Sequence, residues 1–70
     1  MRLSARNILA GKVLEVRKGA TTAHVRLELP GGGAVITASI TNEAADELGL
    51  QAGDQAYAVV KASDVMIGKD

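Results

Sequence analysis

Several residue types that build small protein sites are missing from this chain or occur only once. There is no cysteine, phenylalanine or tryptophan, and there is one histidine, His24, and one tyrosine, Tyr57. The lack of cysteine excludes disulfides and zinc–thiolate sites, and a single histidine argues against a metal site built from imidazoles. The scarcity of aromatic rings argues against a surface that stacks nucleobases.

The charge is balanced, with eight basic and eight acidic residues. Such a chain has no long-range field that would attract a polyanion. No segment approaches the roughly 18 apolar residues of a membrane span, and Met1 to Ser4 is too short and too polar for a secretory signal. We therefore expect a cytoplasmic protein that binds neither nucleic acid nor membrane.

What the chain does contain is aliphatic surface, since 47% of its residues are hydrophobic while 1% are aromatic. Its 70 residues allow a single domain, 1–70, and a domain of about this size buries only about 60% of its unfolded surface. Disulfides, a structural metal or oligomerisation usually compensate. With the first two disfavoured, the composition predicts an assembly of identical copies.

Five segments are rich in β-forming residues and are separated by turn signals. Pro30 to Gly33 is typical of a hairpin turn, and Gly11 indicates a bend or a bulge inside the first segment. The predicted strands are 8–17, 22–29, 34–41, 55–61 and 64–67.

The second of these strands alternates with a period of two, which is typical of a strand with one solvated face. Its apolar set is Val25, Leu27 and Leu29, and its polar set is His24, Arg26 and Glu28. On the third strand, the same alternation predicts that Ile36, Ala38 and Ile40 face the core.

One short helix is predicted at 43–48. Thr41 or Asn42 is a suitable N-cap, and Gly49 stands where a left-handed residue commonly ends a helix. Five strands with one helix between the third and the fourth have the connectivity of an OB-like Greek-key barrel. The expected fold class is therefore all-β.

No residue set is suited to catalysis. A nucleophile needs a base within hydrogen-bond reach, and His24 lies in mid-strand on the polar face, where a solvated or interface histidine is expected. The carboxylates of Glu43, Asp46 and Glu47 are typical of the solvent face of a helix. The glycines at 31–33 are not followed by the Lys-Ser/Thr pair of a phosphate-binding loop.

Anion binding has candidates at two strand ends. Ser4 to Asn7 combine a hydroxyl, a guanidinium and a carboxamide before the first strand, and Lys61 to Ser63 combine an ammonium and a hydroxyl after the fourth. A desolvated oxyanion needs several such donors and positive charge, and Thr41 adds a hydroxyl at the helix start. A frayed N-terminus and a polar strand junction are the alternative interpretation of the same residues.

The ordered set of motifs resembles the Mop domain, the molbindin family of molybdate-binding proteins in the TOBE group. The resemblance covers residues 2–68. It is carried by Ser4-Ala5-Arg6-Asn7, Leu9-x-Gly11-x-Val13, Lys18-Gly19-Ala20, Ala38-x-Ile40-Thr41, Leu48-Gly49-Leu50, Gly53 and Lys61-Ala62-Ser63-Asp64-Val65.

The resemblance implies an OB-like barrel that exchanges a terminal strand in a dimer, and three dimers that form a homohexamer. It also implies reversible binding of molybdate, or of tungstate as a near-isostere, for intracellular storage, with no cofactor and no catalysis. Two kinds of oxyanion site at subunit boundaries are expected. The first would use Ser4, Ala5, Arg6, Lys61, Ala62 and Ser63, with Thr41 of a neighbouring chain.

The second site would use the turn after the first strand, namely Lys18, Gly19, Ala20, Thr21 and Thr22. The sequence departs from the family pattern twice. Ala44 replaces a serine that often follows the family's threonine by three residues, which removes one hydroxyl from the first site. Thr22 stands where an asparagine is common, so the second site is expected to differ in affinity.

Two other functions remain open at this point. The same domain occurs fused to DNA-binding or transport-ATPase domains, so a molybdate-responsive module that regulates a protein partner is one alternative. An OB-fold nucleic-acid binder is the other, although neutral charge and missing aromatics argue against it.

Overall fold

The computed structural model describes residues 2–70, and Met1, where the predicted domain begins, lies outside the described residues. Residues 2–70 form four strands, one α-helix and one 3-10 turn. Their bounds are β1 Asn7–Lys18, β2 Thr22–Glu28, β3 Val35–Thr41, α1 Asn42–Leu48, β4 Gln55–Val60 and the 3-10 turn Ala62–Asp64.

The four strands make one antiparallel sheet in the order β3-β2-β1-β4. Three consecutive strands followed by a fourth that returns beside the first is the Greek-key order. β1 is shared between two partners, because its first half pairs with β4 and its second half pairs with β2. Lys12 is the pivot, since it pairs with both Gln55 and Glu28.

Two irregularities allow β1 to serve both partners. The register with β2 shifts between Val13 and Glu15, so the bulge is at Leu14 and not at Gly11 as the glycine suggested. Gly11 is instead required because the backbone of Glu28 approaches it closely. A Cβ atom at position 11 would lie 2.6 Å from the Glu28 carbonyl oxygen. A bulge bends and twists the strand, which turns the two halves of β1 toward different neighbours.

The alternation predicted for β2 is confirmed. Val25 and Leu27 are buried, as is Ala23, while the residues between them are exposed. Leu29, the third residue of the predicted apolar set, lies just beyond the end of β2 and is half-buried against the same core. On β3 the apolar face is less covered than expected: Ile36 and Ile40 are half-buried, but Ala38 is exposed. The reason is that this face lines an open apolar groove of about 420 Å³ between β3 and β4.

The predicted helix is confirmed with both of its caps. The side chain of Thr41 accepts a hydrogen bond from the Ala44 amide at 3.0 Å, and Gly49 ends the helix at φ 63°. Ala45 is buried and attaches the helix to the sheet. Among residues 2–70, no helix is long and apolar enough to span a membrane.

The predicted fifth strand at 64–67 is not formed in this chain. After the 3-10 turn, Val65 to Asp70 have no regular structure, and Met66 and Ile67 are 92% and 90% exposed. A strand needs a partner with free backbone groups, and this segment lies beside none in its own chain. The described residues therefore form an open four-stranded sheet, and not a closed five-stranded barrel.

The folded chain exposes more surface than its mass predicts. A monomer of 7.2 kDa is expected to expose roughly 4,100 Å², whereas this chain exposes 5495 Å². The excess is larger than the roughly 800 Å² that each partner contributes to a standard interface. Exposed large side chains such as Leu48, Tyr57 and Ile67 account for part of it.

Candidate functional site

The pairing of β1 with β4 brings the first expected donor cluster together. Asn7 at the start of β1 pairs with Val60 at the end of β4, and its Nδ2 donates to the Val60 carbonyl oxygen at 3.1 Å. Ser4 to Arg6 precede Asn7 and Lys61 to Ser63 follow Val60. The structure therefore places both triplets at one corner of the sheet, although they are far apart in the sequence.

The second triplet lies in the 3-10 turn. Lys61 is its N-cap, and its carbonyl oxygen accepts from the Asp64 amide at 2.9 Å. The first amides of a helical turn have no acceptor within it, so Ala62 and Ser63, which follow Lys61 in the chain, have backbone N–H groups without an acceptor in the turn. Asp64 adds one carboxylate to this otherwise donor-rich turn.

Most of this cluster is open to water. Ser4, Arg6 and all three residues from Lys61 to Ser63 are exposed, and Ala5 is half-buried. A solvent-exposed ion pair contributes only about 0–1 kcal/mol, and the same pair is much stronger where water is excluded. One chain thus supplies the chemistry of an oxyanion site without the enclosure that tight binding needs.

Thr41 does not join this corner within one chain. It ends β3 and pairs with Thr22, next to the end of β1 at Lys18, whereas Arg6 precedes the start of β1. A straight 12-residue strand spans about 36 Å at about 3.3 Å per residue, and even with its bulge β1 keeps its two ends far apart. Hydrogen bonds need about 3 Å, so one oxyanion cannot contact Thr41 and Arg6 of the same chain.

The second expected site is a compact turn between β1 and β2. The Gly19 amide donates to the Thr22 carbonyl oxygen at 2.7 Å, which closes the turn. Lys18 to Thr22 are all exposed. The ammonium of Lys18 forms a hydrogen-bonded ion pair with Asp46 of α1, so the one cation of this turn already has a carboxylate partner.

Asn42 was not among the site residues expected from the sequence, where it appeared only as a possible N-cap. Its Nδ2 donates to the Gly19 carbonyl oxygen and its backbone amide donates to the Thr21 carbonyl oxygen, both at 2.9 Å. The residue therefore joins the β1–β2 turn to the start of α1. Only its position after a capping threonine could have indicated this role.

The described residues contain no group of three or more His, Cys, Asp or Glu side chains close enough to hold a metal ion. The chemistry that the strand ends offer is of the opposite kind: hydroxyls, backbone amides, a guanidinium and ammonium groups. Such groups recognise an anion rich in oxygen atoms.

Comparison with known proteins identifies relatives of this chain by sequence and by structure. The model of the family described as TOBE domain matches residues 3–67. Molybdenum-pterin-binding protein 2 of Clostridium pasteurianum is 49% identical over 67 residues, which are 96% of this chain and 97% of the relative.

Two solved structures are close to this fold. A molybdate-binding protein from Sporomusa ovata has a TM-score of 0.91 at 33% identity, covering 99% of this chain and 100% of that one. The cytoplasmic molybdate-binding protein ModG, solved with molybdate bound, has a TM-score of 0.89 at 53% identity, covering 94% of this chain and 46% of that one.

Proposed function

Because this chain belongs to the TOBE domain family and, within it, to the molybdenum-pterin-binding proteins, we propose that it binds molybdate reversibly and without chemical change. Its proposed role is intracellular molybdenum storage and homeostasis in the cytoplasm. The support is the ligand that the structural relatives are named for, together with the donor chemistry at the strand ends.

The observation that carries the proposal is the pairing of Asn7 with Val60. This register brings two triplets from distant parts of the chain to one corner, Ser4-Ala5-Arg6 and Lys61-Ala62-Ser63. A tetrahedral dianion needs positive charge and donors directed at several oxygens. In the first proposed site, Arg6 and Lys61 supply the charge, and the serine hydroxyls and backbone amides supply directional hydrogen bonds.

A second copy of the chain completes this site in our proposal. Thr41 is too far from Arg6 to act in the same chain, so the neighbour contributes it. Its Oγ1 accepts from the Ala44 amide, which leaves the hydroxyl proton free to donate to an oxyanion. Closure by the neighbour also removes water from Arg6 and Lys61, which strengthens their attraction for the ligand.

The proposed assembly is a homohexamer made of three dimers, each dimer formed by exchange of a terminal strand. Two features support it: the excess exposed surface and the apolar groove between β3 and β4. The segment around Met66 and Ile67 is the proposed exchanged strand, because it is apolar, is exposed and has no partner in its own chain. The second site, Lys18 to Thr22, lies between threefold-related copies in this arrangement.

Tungstate is expected to bind like molybdate, because the two anions have the same shape and charge. Discrimination against sulfate then depends on the size of the enclosed cavity, since sulfate is a smaller tetrahedron with similar hydrogen-bond geometry. The ligand itself requires no protein-bound cofactor.

Titration calorimetry with molybdate, tungstate and sulfate tests the proposal on the purified, assembled protein. We expect saturable binding of the first two and much weaker binding of sulfate. Native mass spectrometry with and without molybdate reads the number of subunits and of bound anions together. Absence of molybdate binding by the intact assembly would contradict the proposed function.

A further inference from the structure

Asn42 makes two hydrogen bonds to one loop. Its Nδ2 donates to the Gly19 carbonyl oxygen and its backbone amide donates to the Thr21 carbonyl oxygen. Together they hold both sides of the β1–β2 turn, which is closed internally by the bond from Gly19 to Thr22. Besides the ion pair between Lys18 and Asp46, Asn42 thus attaches the turn that forms the second proposed site to α1 through two hydrogen bonds.

The same residue follows Thr41 directly in the chain. Thr41 pairs with Thr22 across the β2–β3 ladder, and its hydroxyl is fixed by the cap bond to the Ala44 amide. The conformation of the turn and the position of the Thr41 hydroxyl are therefore coupled through adjacent residues. In the proposed assembly these two groups serve different oxyanion sites.

The orientation of the Asn42 carboxamide is determined by the turn. The Gly19 carbonyl oxygen requires a donor, so Nδ2 faces it, and the Asn42 Oδ1 is then buried without a hydrogen-bond partner among the described residues. A carboxylate at this position would place an acceptor against the Gly19 carbonyl oxygen. The site therefore requires an amide and not merely a side chain of this shape.

We propose that Asn42 is a positioning residue for oxyanion binding, which fixes the turn of the second site relative to the Thr41 hydroxyl of the first. The inference rests on the proposed function but adds a residue that contacts neither ligand. It has a specific consequence: loss of the Asn42 side-chain carboxamide weakens both kinds of site, although only the second site contains the turn that this group holds.

The variants Asn42→Asp and Asn42→Ala test this role in the assembled protein. Asp suits the first turn of a helix, where a negative charge is favourable, and it keeps the backbone amide. A purely structural role in the helix therefore predicts that Asn42→Asp behaves as wild type. The positioning role predicts instead that molybdate affinity falls about tenfold or more at both classes of site in both variants.

Hydrogen exchange at the Gly19 amide supplies a readout that does not depend on ligand. It is expected to accelerate in both variants before molybdate is added, because the turn loses the hydrogen bond from the Asn42 side chain to the Gly19 carbonyl oxygen. Glu43→Gln is the matched control, since Glu43 is the exposed neighbour of Asn42 in the same helical turn, and it should change neither exchange nor affinity.

The outcomes separate this inference from the proposed function. If wild type binds molybdate and both Asn42 variants bind it with the same affinity, the positioning role is overturned and the proposed function is left intact. An effect confined to the second site would also overturn it, because the link to Thr41 would then be absent. If wild type bound no molybdate at all, the proposed function would fail and the positioning role with it.

Discussion

The double substitution Met66→Ser and Ile67→Ser is expected to dissociate the proposed assembly without destabilising the single chain. Both side chains are about nine-tenths exposed in one copy, so a folded monomer loses almost no buried surface when they become polar. Their only contribution to stability is expected in the exchanged strand, where a neighbouring copy covers them.

The expected loss of association free energy follows from the apolar surface that the neighbouring copy covers. Full burial of a methionine or isoleucine side chain contributes about 1.5–3 kcal/mol, so the pair contributes about 3–6 kcal/mol per exchanged strand. A dimer contains two exchanged strands and so loses about 6–12 kcal/mol. Since about 1.4 kcal/mol corresponds to a factor of ten, its dissociation constant is expected to rise more than about ten-thousandfold.

Sedimentation velocity over a dilution series, supported by native mass spectrometry, measures this change. Wild type should remain assembled at concentrations where the double variant is mostly smaller species. Lys69→Ser, in the same tail but without an apolar side chain, is the control and should assemble as wild type. A double variant that stays fully assembled across the series would refute strand exchange by this segment.

Four further substitutions test the first proposed site and the sheet. Arg6→Ala and Lys61→Ala are each expected to weaken molybdate binding ten- to a hundredfold, as loss of about 1.5–3 kcal/mol from a charge-assisted hydrogen bond implies; calorimetry giving unchanged affinity would remove that residue from the first site. Gly11→Ala should lower the free energy of unfolding by about 1–3 kcal/mol, because the new methyl group meets the Glu28 carbonyl oxygen at 2.6 Å; an unchanged midpoint in urea would contradict this clash. Thr41→Val should lower the free energy of unfolding by about 1 kcal/mol through loss of the helix cap, and it should also weaken molybdate binding at the first site. A variant that loses thermal stability but keeps its molybdate affinity would show that the hydroxyl only caps the helix.

Local patterns in the sequence were sufficient for much of the fold. The alternation in β2 predicted which of its faces is buried, and Thr41 and Gly49 predicted both ends of the helix, because each of these signals acts over a few neighbouring residues. The strands β1 to β4 begin and end within one residue of the predicted bounds.

The differences between the predicted and the observed fold concern features that depend on distant partners. The segment 64–67 has the composition of a strand, but the partner it needs is absent from its own chain. Ala38 alternates like a core residue, yet its face lies on an open groove. Gly11 indicated a bend or a bulge, but the sequence alone does not show that the Glu28 carbonyl oxygen approaches it closely.

For the candidate site too, local features could be predicted from the sequence and features that depend on distant residues could not. Residue types and spacing identified the donor clusters, but only the register between β1 and β4 shows that Ser4 to Arg6 and Lys61 to Ser63 share a corner. Asn42 and the ion pair between Lys18 and Asp46 could not be predicted, since both cross from α1 to a turn more than twenty residues earlier in the chain.

The division of β1 between two partners also has a consequence for the order of folding. Its second half meets β2 through a short turn, so the loop of Lys18 to Thr22 can form as soon as that hairpin closes. Its first half must wait for β4, since Asn7 and Val60 are separated by 53 positions, and pairing of such distant residues is slow because a long loop must close. During synthesis the turn around Gly19 can thus be native before β4 exists, whereas the corner at Arg6 and Lys61 is completed among the last parts of the sheet.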